Sequence, residues 1–228
     1  RRFAEAARSA GADQRAASAG WAGAKGGDLV IDAPGQYVLE RSSVTINADE
    51  IEVRFSVGLP ARGRSILGEW AASILCETLP SLATRSLLYG SFAPGAVQAH
   101  LNSGEDQVAA RAQLAPRGLV AFVADGSILP RASGASAAPL QSPQAVPFSS
   151  PPSLRTTLVL PHGGEVSGMG IPRGVTLIVG GGFHGKSTLL QALQLGVYNK
   201  VPGDGRELAV SAPEAAKVRA EDGRSVTR

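Results

Sequence analysis

The chain has 228 residues, 43 % of them hydrophobic and 18 % charged, with a net charge of +3. That length can bury a sizeable core, and the balance is that of a globular chain. A single cysteine, Cys76, excludes an internal disulfide framework and a cysteine zinc cluster, and no run reaches the roughly 18 apolar residues of a membrane span.

The basic residues are lopsided in kind. Lys25, Lys186, Lys200 and Lys217 are the only lysines among 22 basic residues; the rest are arginine. An arginine-rich composition suits bidentate anion recognition, although a genome rich in Ala, Gly and Arg codons accounts for the bias more simply. No signal peptide is visible, so a cytoplasmic setting fits. The chain begins Arg1-Arg2-Phe3 and its sole methionine is Met169, which reads as a piece of something longer.

Residues 1–27 are rich in Ala, Gly, Ser and Arg. A helix can start at Ala4–Arg8, but repeated glycines break up the remainder, and the stretch reads mostly as a flexible lead-in. Residues 28–57 read as strands. There Ile51, Val53, Phe55 and Val57 alternate with polar neighbours, which gives one buried and one wet face. The spacing then turns helical. Ile66, Leu67, Trp70, Ile74, Leu75 and Leu79 form one stripe, with Ser65 placed to cap it and Pro80 to end or kink it.

A short helix over Ala96–Leu101, a break at Asn102-Ser103-Gly104 and a second helix from Glu105 to Leu114 come next. Gly118–Pro130 reads as strand, Asp125-Gly126 turn, strand. Residues 132–152 hold Pro139, Pro143, Pro147, Pro151 and Pro152 and form a loop. Leu154–Leu160 and Glu165–Ile171 pair as antiparallel strands. Gly174–Gly180 is a continuous apolar run of the kind a central parallel strand needs. The expected class is α/β. A lead-in (1–27) and an N-terminal α+β domain (28–103) precede the first part of a nucleotide-binding domain (104–228), in which antiparallel strands lead to a strand, a loop and a helix.

The segment Gly180-Gly181-Gly182-Phe183-His184-Gly185-Lys186-Ser187-Thr188 fits the phosphate-loop pattern at every fixed position. A strand ends and a helix begins within one turn, and the glycines let successive N–H groups converge on an anion. Lys186 reaches the β- and γ-phosphates, the Ser187 hydroxyl is placed for Mg²⁺, and Thr188 for the α-phosphate. His184 lies beside the γ-phosphate region, as a phosphate contact or as a solvent-facing spacer. Phe183 reads as packing.

Asn199-Lys200-Val201-Pro202 starts like a guanine-reading motif, but Pro202 replaces the aspartate. Lys-Ser-Thr-Leu-Leu and the antiparallel pair before the loop suit an ABC-type ATPase. No lid or substrate motif supports a small-molecule kinase.

The blocks GLPARGRSI (58–66), GLVAFVADGSILPRASG (118–134), GMGIPRGVTLIVGGGFHGKSTLLQALQLGVYNKVPGDGRE (168–207) and RAEDGRSV (219–226) carry a further likeness. Through them the chain resembles the predicted ATPases of the ABC class. The resemblance implies ATP and Mg²⁺ as cofactors, an N-terminal domain and an ABC-like nucleotide-binding domain. In the full-length protein it implies a homodimer whose signature segment faces the loop across subunits. It also implies that signature, Walker B and catalytic glutamate lie past Arg228, so these residues would bind ATP without useful turnover.

Several smaller features stay open at this stage. The adenine contact falls to Arg155, to an apolar residue or to another domain. Gly203–Glu207 and Glu221–Arg224 share an Asp-Gly-Arg core that reads as a hairpin turn or as Mg²⁺ and phosphate contacts. Arg54, Arg62, Arg64 and Arg131 are candidate nucleic-acid contacts, the alternative being an RNA-binding module with a nucleotide-controlled switch. No aromatic platform interleaves with those arginines.

Overall fold

The computed structural model describes residues 1–16, 25–141, 143 and 145–218, with the side chains of 11–16 left aside. The predicted block 219–226 and residues 17–24 of the predicted lead-in lie outside the described residues. The chain divides into two compact units, Arg1–Gly35 with Leu39–Val97, and Gln36–Val38 with Gln98–Arg228. The division therefore falls at 97/98 rather than 103/104, and three residues of the front half belong to the second unit.

In the first unit, α1 (Arg2–Ala16) occupies the start of the expected flexible lead-in. Its Phe3 and Ala7 are buried with Leu29, Ile74 and Leu82, and the Phe3 ring lies 5.3 Å from that of Phe55. Arg2 fastens the helix by donating to the carbonyls of Ser91 and Arg85, and its guanidinium sits 4.4 Å from the Phe92 centroid. Small residues around one phenylalanine thus make a helix face that composition alone reads as low complexity.

Three short antiparallel pairs come after α1. β1 (Leu29–Val30) pairs with β4 (Ser56–Val57), β2 (Val44–Ile46) with β3 (Ile51–Val53), and β5 (Ala61–Arg62) with β6 (Ser65–Ile66). Val53, Phe55 and Val57 pack on the core, as their alternation indicates. Ser65 lies in the β5–β6 hairpin and caps nothing; α2 (Gly68–Ser73) starts after Leu67 without a side-chain cap.

Pro80 does not end this helix. A π-helical turn over Ile74–Thr78 leads into α3 (Leu79–Leu87), and the Leu79 N–H reaches Ile74 O across the wider turn. Proline at the entrance of α3 costs little because its missing N–H falls where the ladder is already shifted.

The second unit is built on a four-stranded sheet. β7 (Leu119–Ala124), β8 (Arg155–Leu160), β9 (Gly164–Pro172) and β10 (Ala209–Ser211) run in the order β10-β7-β9-β8, all antiparallel. The side chains of β7 alternate between two cores, as a strand's period of two demands. Phe122 and Ala124 join Leu158, Leu160 and Val210 beneath α4 (Ala96–Ala112), which contributes Ala110. Ala121 and Val123 join Met169, Ile171 and Ala209 on the other face, where α5 (Lys186–Gln194) lays Ala192, Leu189 and Leu193. The predicted β8–β9 pair is present, whereas residues 127–130 do not form the strand expected after the Asp125-Gly126 turn.

The expected break at Asn102-Ser103-Gly104 is absent: α4 runs straight through it. A mid-helix glycine costs about 1 kcal/mol against alanine. Offsetting bonds surround it. Gln98 donates to Asn102 Oδ1, and Gln107, itself buried, donates to the Ser103 carbonyl and hydroxyl.

Candidate functional site

The loop between β9 and α5 joins the sheet to a helix lying on one of its faces. Gly180 has φ 152° and Gly185, which precedes the helix, has φ 81°. Only glycine adopts the second conformation without strain, so Gly185 swings the chain directly into α5 with its first N–H groups open to the loop. Residues 172–185 are exposed throughout, Ser187 is exposed, and Lys186 and Thr188 are half-buried.

Lys186 turns back over the loop. Its ammonium donates to Gly180 O at 2.6 Å and to Gly181 O. His184 also turns inward, its Nδ1 accepting the Gly181 N–H at 3.1 Å. A neutral imidazole in this role carries its proton on Nε2. His184 is therefore no free spacer, since it engages one of the loop amides. The loop's side-chain hydrogen bonds among the described residues run only within the loop.

Phe183 does not pack. It is 111 % exposed and is the one non-glycine residue with positive φ, 61°, among the described residues. That conformation costs an L-residue about 1–2 kcal/mol, and the exposed ring returns nothing by burial. Phe183→Asn, which tolerates the left-handed region, is expected to raise stability by about 1 kcal/mol. Urea denaturation checks it; an unchanged or lower midpoint would show that the ring is held by something else.

The apolar run before the loop is not the paired strand that its pattern predicts. Val175, Leu177 and Val179 are 94 %, 80 % and 83 % exposed. A strand is fixed by the ladder it shares with a neighbour, and no strand among the described residues pairs with this run.

Other predicted residues have different employment. Arg131 makes a bidentate pair with Asp204, at 2.9 and 3.0 Å, with side chains 9 % and 0 % exposed, and so is removed from any nucleic-acid surface. Arg155 donates to the Ser150 hydroxyl and carbonyl and lies 3.8 Å from Asp125, its side chain half exposed. Arg54 pairs with Glu52. Arg62 and Arg64 flank the exposed tip of the β5–β6 hairpin.

A buried cation cluster escaped the sequence reading. Asn199, Lys200, Asp204 and Arg206 fold against the end of α5 together with Arg111 of α4. Lys200, 2 % exposed, donates to the carbonyls of Leu195 and Tyr198 and stands 4.8 Å from the Tyr37 ring centroid. Its backbone is clasped by Gln107, which donates to Lys200 O and accepts from Lys200 N. Arg111 donates to Asn199 Oδ1 and Gly196 O, and its Nε has no partner among the described residues. Arg206 donates to Leu129 O and reaches Gln191 Oε1 of α5.

Burial lowers the pKa of Lys200 to about 8, Asp204 opposing the shift and Arg131 and Arg206 adding to it. Burial also lowers that of Arg206 to about 10, leaving it charged at neutral pH, and lowers that of Arg111. The Asp-Gly-Arg core at 204–206 is therefore part of a buried ion cluster rather than a surface turn. The one available signal was Lys200 itself, an isolated lysine in an otherwise arginine-rich chain.

A cleft of about 580 Å³ lies beside α4 and the turns after β7 and β8, lined by Asp106, Asp125, Ser127, His162 and Glu207. No loop residue borders it, and its carboxylates have the wrong sign for a polyphosphate. The loop is the better candidate for an anion.

Residues 94–228 match the model for the P-loop domain of ABC ATPases, and residues 4–90 match the model described as ATPase of the ABC class N-terminal. The chain belongs to the ABC-class ATPase family. No curated protein matches it. This ABC-class ATPase thus carries a family-specific N-terminal domain and, after it in the chain, a nucleotide-binding P-loop domain. None of its described helices is long and apolar enough to cross a membrane.

Proposed function

We propose that this chain binds Mg-ATP through residues 180–188, a Walker A loop. The observation that carries the reading is the position of Lys186. Its ammonium lies across the carbonyls of Gly180 and Gly181, at the N-terminus of α5. A polyphosphate would exchange for those carbonyls and take the β- and γ-phosphate contact. The amides of Gly181, Gly182, Phe183, His184 and Gly185 supply the rest of the anion nest, with Thr188 toward the α-phosphate. His184 gives up the Gly181 amide as phosphate arrives.

The residues present fit magnesium. The exposed Ser187 hydroxyl is a single hard oxygen in the first turn of α5, and no group of three or more acidic, His or Cys residues forms a dedicated cage among the described residues. Mg²⁺ is commonly held by few protein oxygens, completing its shell with phosphate and water. When bound it neutralises charge on the β- and γ-phosphates.

The guanine-like start is not free to read a base, since Asn199 accepts from Arg111 and Lys200 donates to the carbonyls of Leu195 and Tyr198; that leaves ATP, the nucleotide of the family, as the ligand. A cytoplasmic setting supplies this ligand. Hydrolysis also needs a group that orients the attacking water and further charge stabilisation. With loop side chains bonded only within the loop, we assign those roles to groups outside it, including a signature segment facing it from a second copy. Calorimetric titration with ATP and GTP, each with and without Mg²⁺, tests the reading. Mg-ATP should bind most tightly, without steady phosphate release by these residues. Equal binding of GTP, or no binding, would contradict it.

A second reading keeps the RNA-binding alternative, because Arg62 and Arg64 stand at an exposed hairpin tip. Replacing both by glutamate (Arg62→Glu/Arg64→Glu) removes two phosphate-binding cations. Single-stranded RNA binding should weaken, and its salt slope should fall by about 1.4. Filter binding across a salt series reads this, and an unchanged slope would end it.

A further inference from the structure

The end of α5 opposite the loop is held by three cationic side chains. Leu195 O accepts from Lys200, Gly196 O from Arg111, and the Gln191 side chain from Arg206. Leu193 O already has a neutral partner in Ser211 Oγ at 2.7 Å. Around this end stand Lys200, Arg111, Arg131 and Arg206, with Asp204 the carboxylate that faces them. Buried charge of one sign is costly unless something offsets it. The negative end of the α5 dipole offsets part of it. An anion at the other end of this 9-residue helix, about 14 Å away by helix rise, would offset more.

We infer that this buried cluster is an electrostatic anchor for the phosphate-binding helix, and that Lys200 is a positioning residue whose charge raises phosphate affinity at the far end of α5. The inference rests on the nucleotide reading above. It gives the cluster a directional role: Lys200 and Arg111 hold the carbonyls of the capping residue Leu195 and of Gly196 beyond it, keep the helix axis aimed at the loop, and add a positive potential behind it. The groups facing the Lys200 ammonium are Arg111 from α4, Arg131 from the turn after β7, Asp204 and Arg206 from the segment before β10, and the Tyr37 ring.

Proton loss from Lys200 separates this role from a merely structural one. The fold lowers the pKa of Lys200 from 10.5 to about 8. Between those values the unfolded chain binds more protons than the folded one, so this group's contribution to stability rises with pH across the window. Phosphate affinity should move the opposite way, because the cation behind α5 is lost.

The test is Mg-ATP affinity and urea stability of the full chain from about pH 7.5 to about pH 9.5, where a phosphate with second pKa near 6 is already ionised. The expected result, at low ionic strength, is affinity falling by up to about sevenfold, the unscreened Coulomb limit for a unit charge ~14 Å away at an effective dielectric of ~20, while stability does not fall. Lys200→Arg, which keeps its charge, should flatten the profile at the high level. Lys200→Met should flatten it at the low level and serves if the arginine variant does not fold. A flat wild-type profile, or a drop that persists in Lys200→Arg, overturns the inference and leaves the nucleotide reading intact. No Mg-ATP binding at any pH overturns both.

Discussion

Lys186→Ala is expected to lower Mg-ATP affinity by about 10- to 150-fold, the equivalent of about 1.5–3 kcal/mol for a hydrogen bond to a charged group. Stability should change little, because Lys186 is only half-buried and its partners in the loop are exposed carbonyls. Lys186→Arg should recover only part of the loss. A planar guanidinium cannot replace a compact ammonium between two carbonyls and two phosphates. Calorimetry reads the affinity, and urea denaturation confirms that the fold is unchanged. Equal affinity in the alanine variant would remove the ammonium from the site.

Asp204→Ala should have the largest effect on stability, about 3–5 kcal/mol. Its carboxylate is fully buried and accepts two hydrogen bonds from Arg131, while Arg206 N approaches Oδ1 at 3.3 Å. Removing it leaves Arg131, Arg206 and Lys200 with no buried countercharge, and the loop 200–206 loses its centre. The second unit should melt roughly 6–20 °C lower. Asp204→Asn keeps the shape but not the charge, so it should recover little. A loss below about 1 kcal/mol in Asp204→Ala would mean that water reaches the cluster and screens it.

The same cluster shows where the sequence was opaque. A phosphate loop is legible because its chemistry is local: glycines, lysine and hydroxyl must stand next to one another for one backbone turn to work. The β8–β9 pair was legible for a similar reason, a tight Gly163-Gly164 turn between two short strand-forming runs. Arg111 of α4 and Arg131 meet Lys200 and Asp204 from distant parts of the chain, and nothing in their neighbours announces the meeting. Arg131 read as a surface base for the same reason.

Helix limits failed for a different cause. Asn102-Ser103-Gly104 is a break by propensity, yet Ala110 beneath the sheet and the bonds of Gln107 keep α4 continuous. Pro80 is tolerated because a π-turn shifts the ladder before it. At α1, one phenylalanine and a few alanines were enough to bury a face that composition presented as low complexity. Tertiary packing outweighs local preference in each case. The run Val175–Val179 illustrates the converse: its pattern is that of a buried strand, and no partner among the described residues pairs with it.

In the proposed Mg-ATP complex the amides of the loop and the first turn of α5 hold the phosphates. Backbone amide NMR of the ¹⁵N-labelled full chain, titrated with Mg-ATP, tests it most directly. The largest saturable shifts are expected at Gly181–Thr188, with the Gly181 amide moving as it exchanges His184 for phosphate, and in Lys186→Ala they should need about 10- to 150-fold more Mg-ATP to saturate. Shifts confined to the acidic cleft lined by Asp106, Asp125 and Glu207, or no saturable shift at the loop, would contradict it.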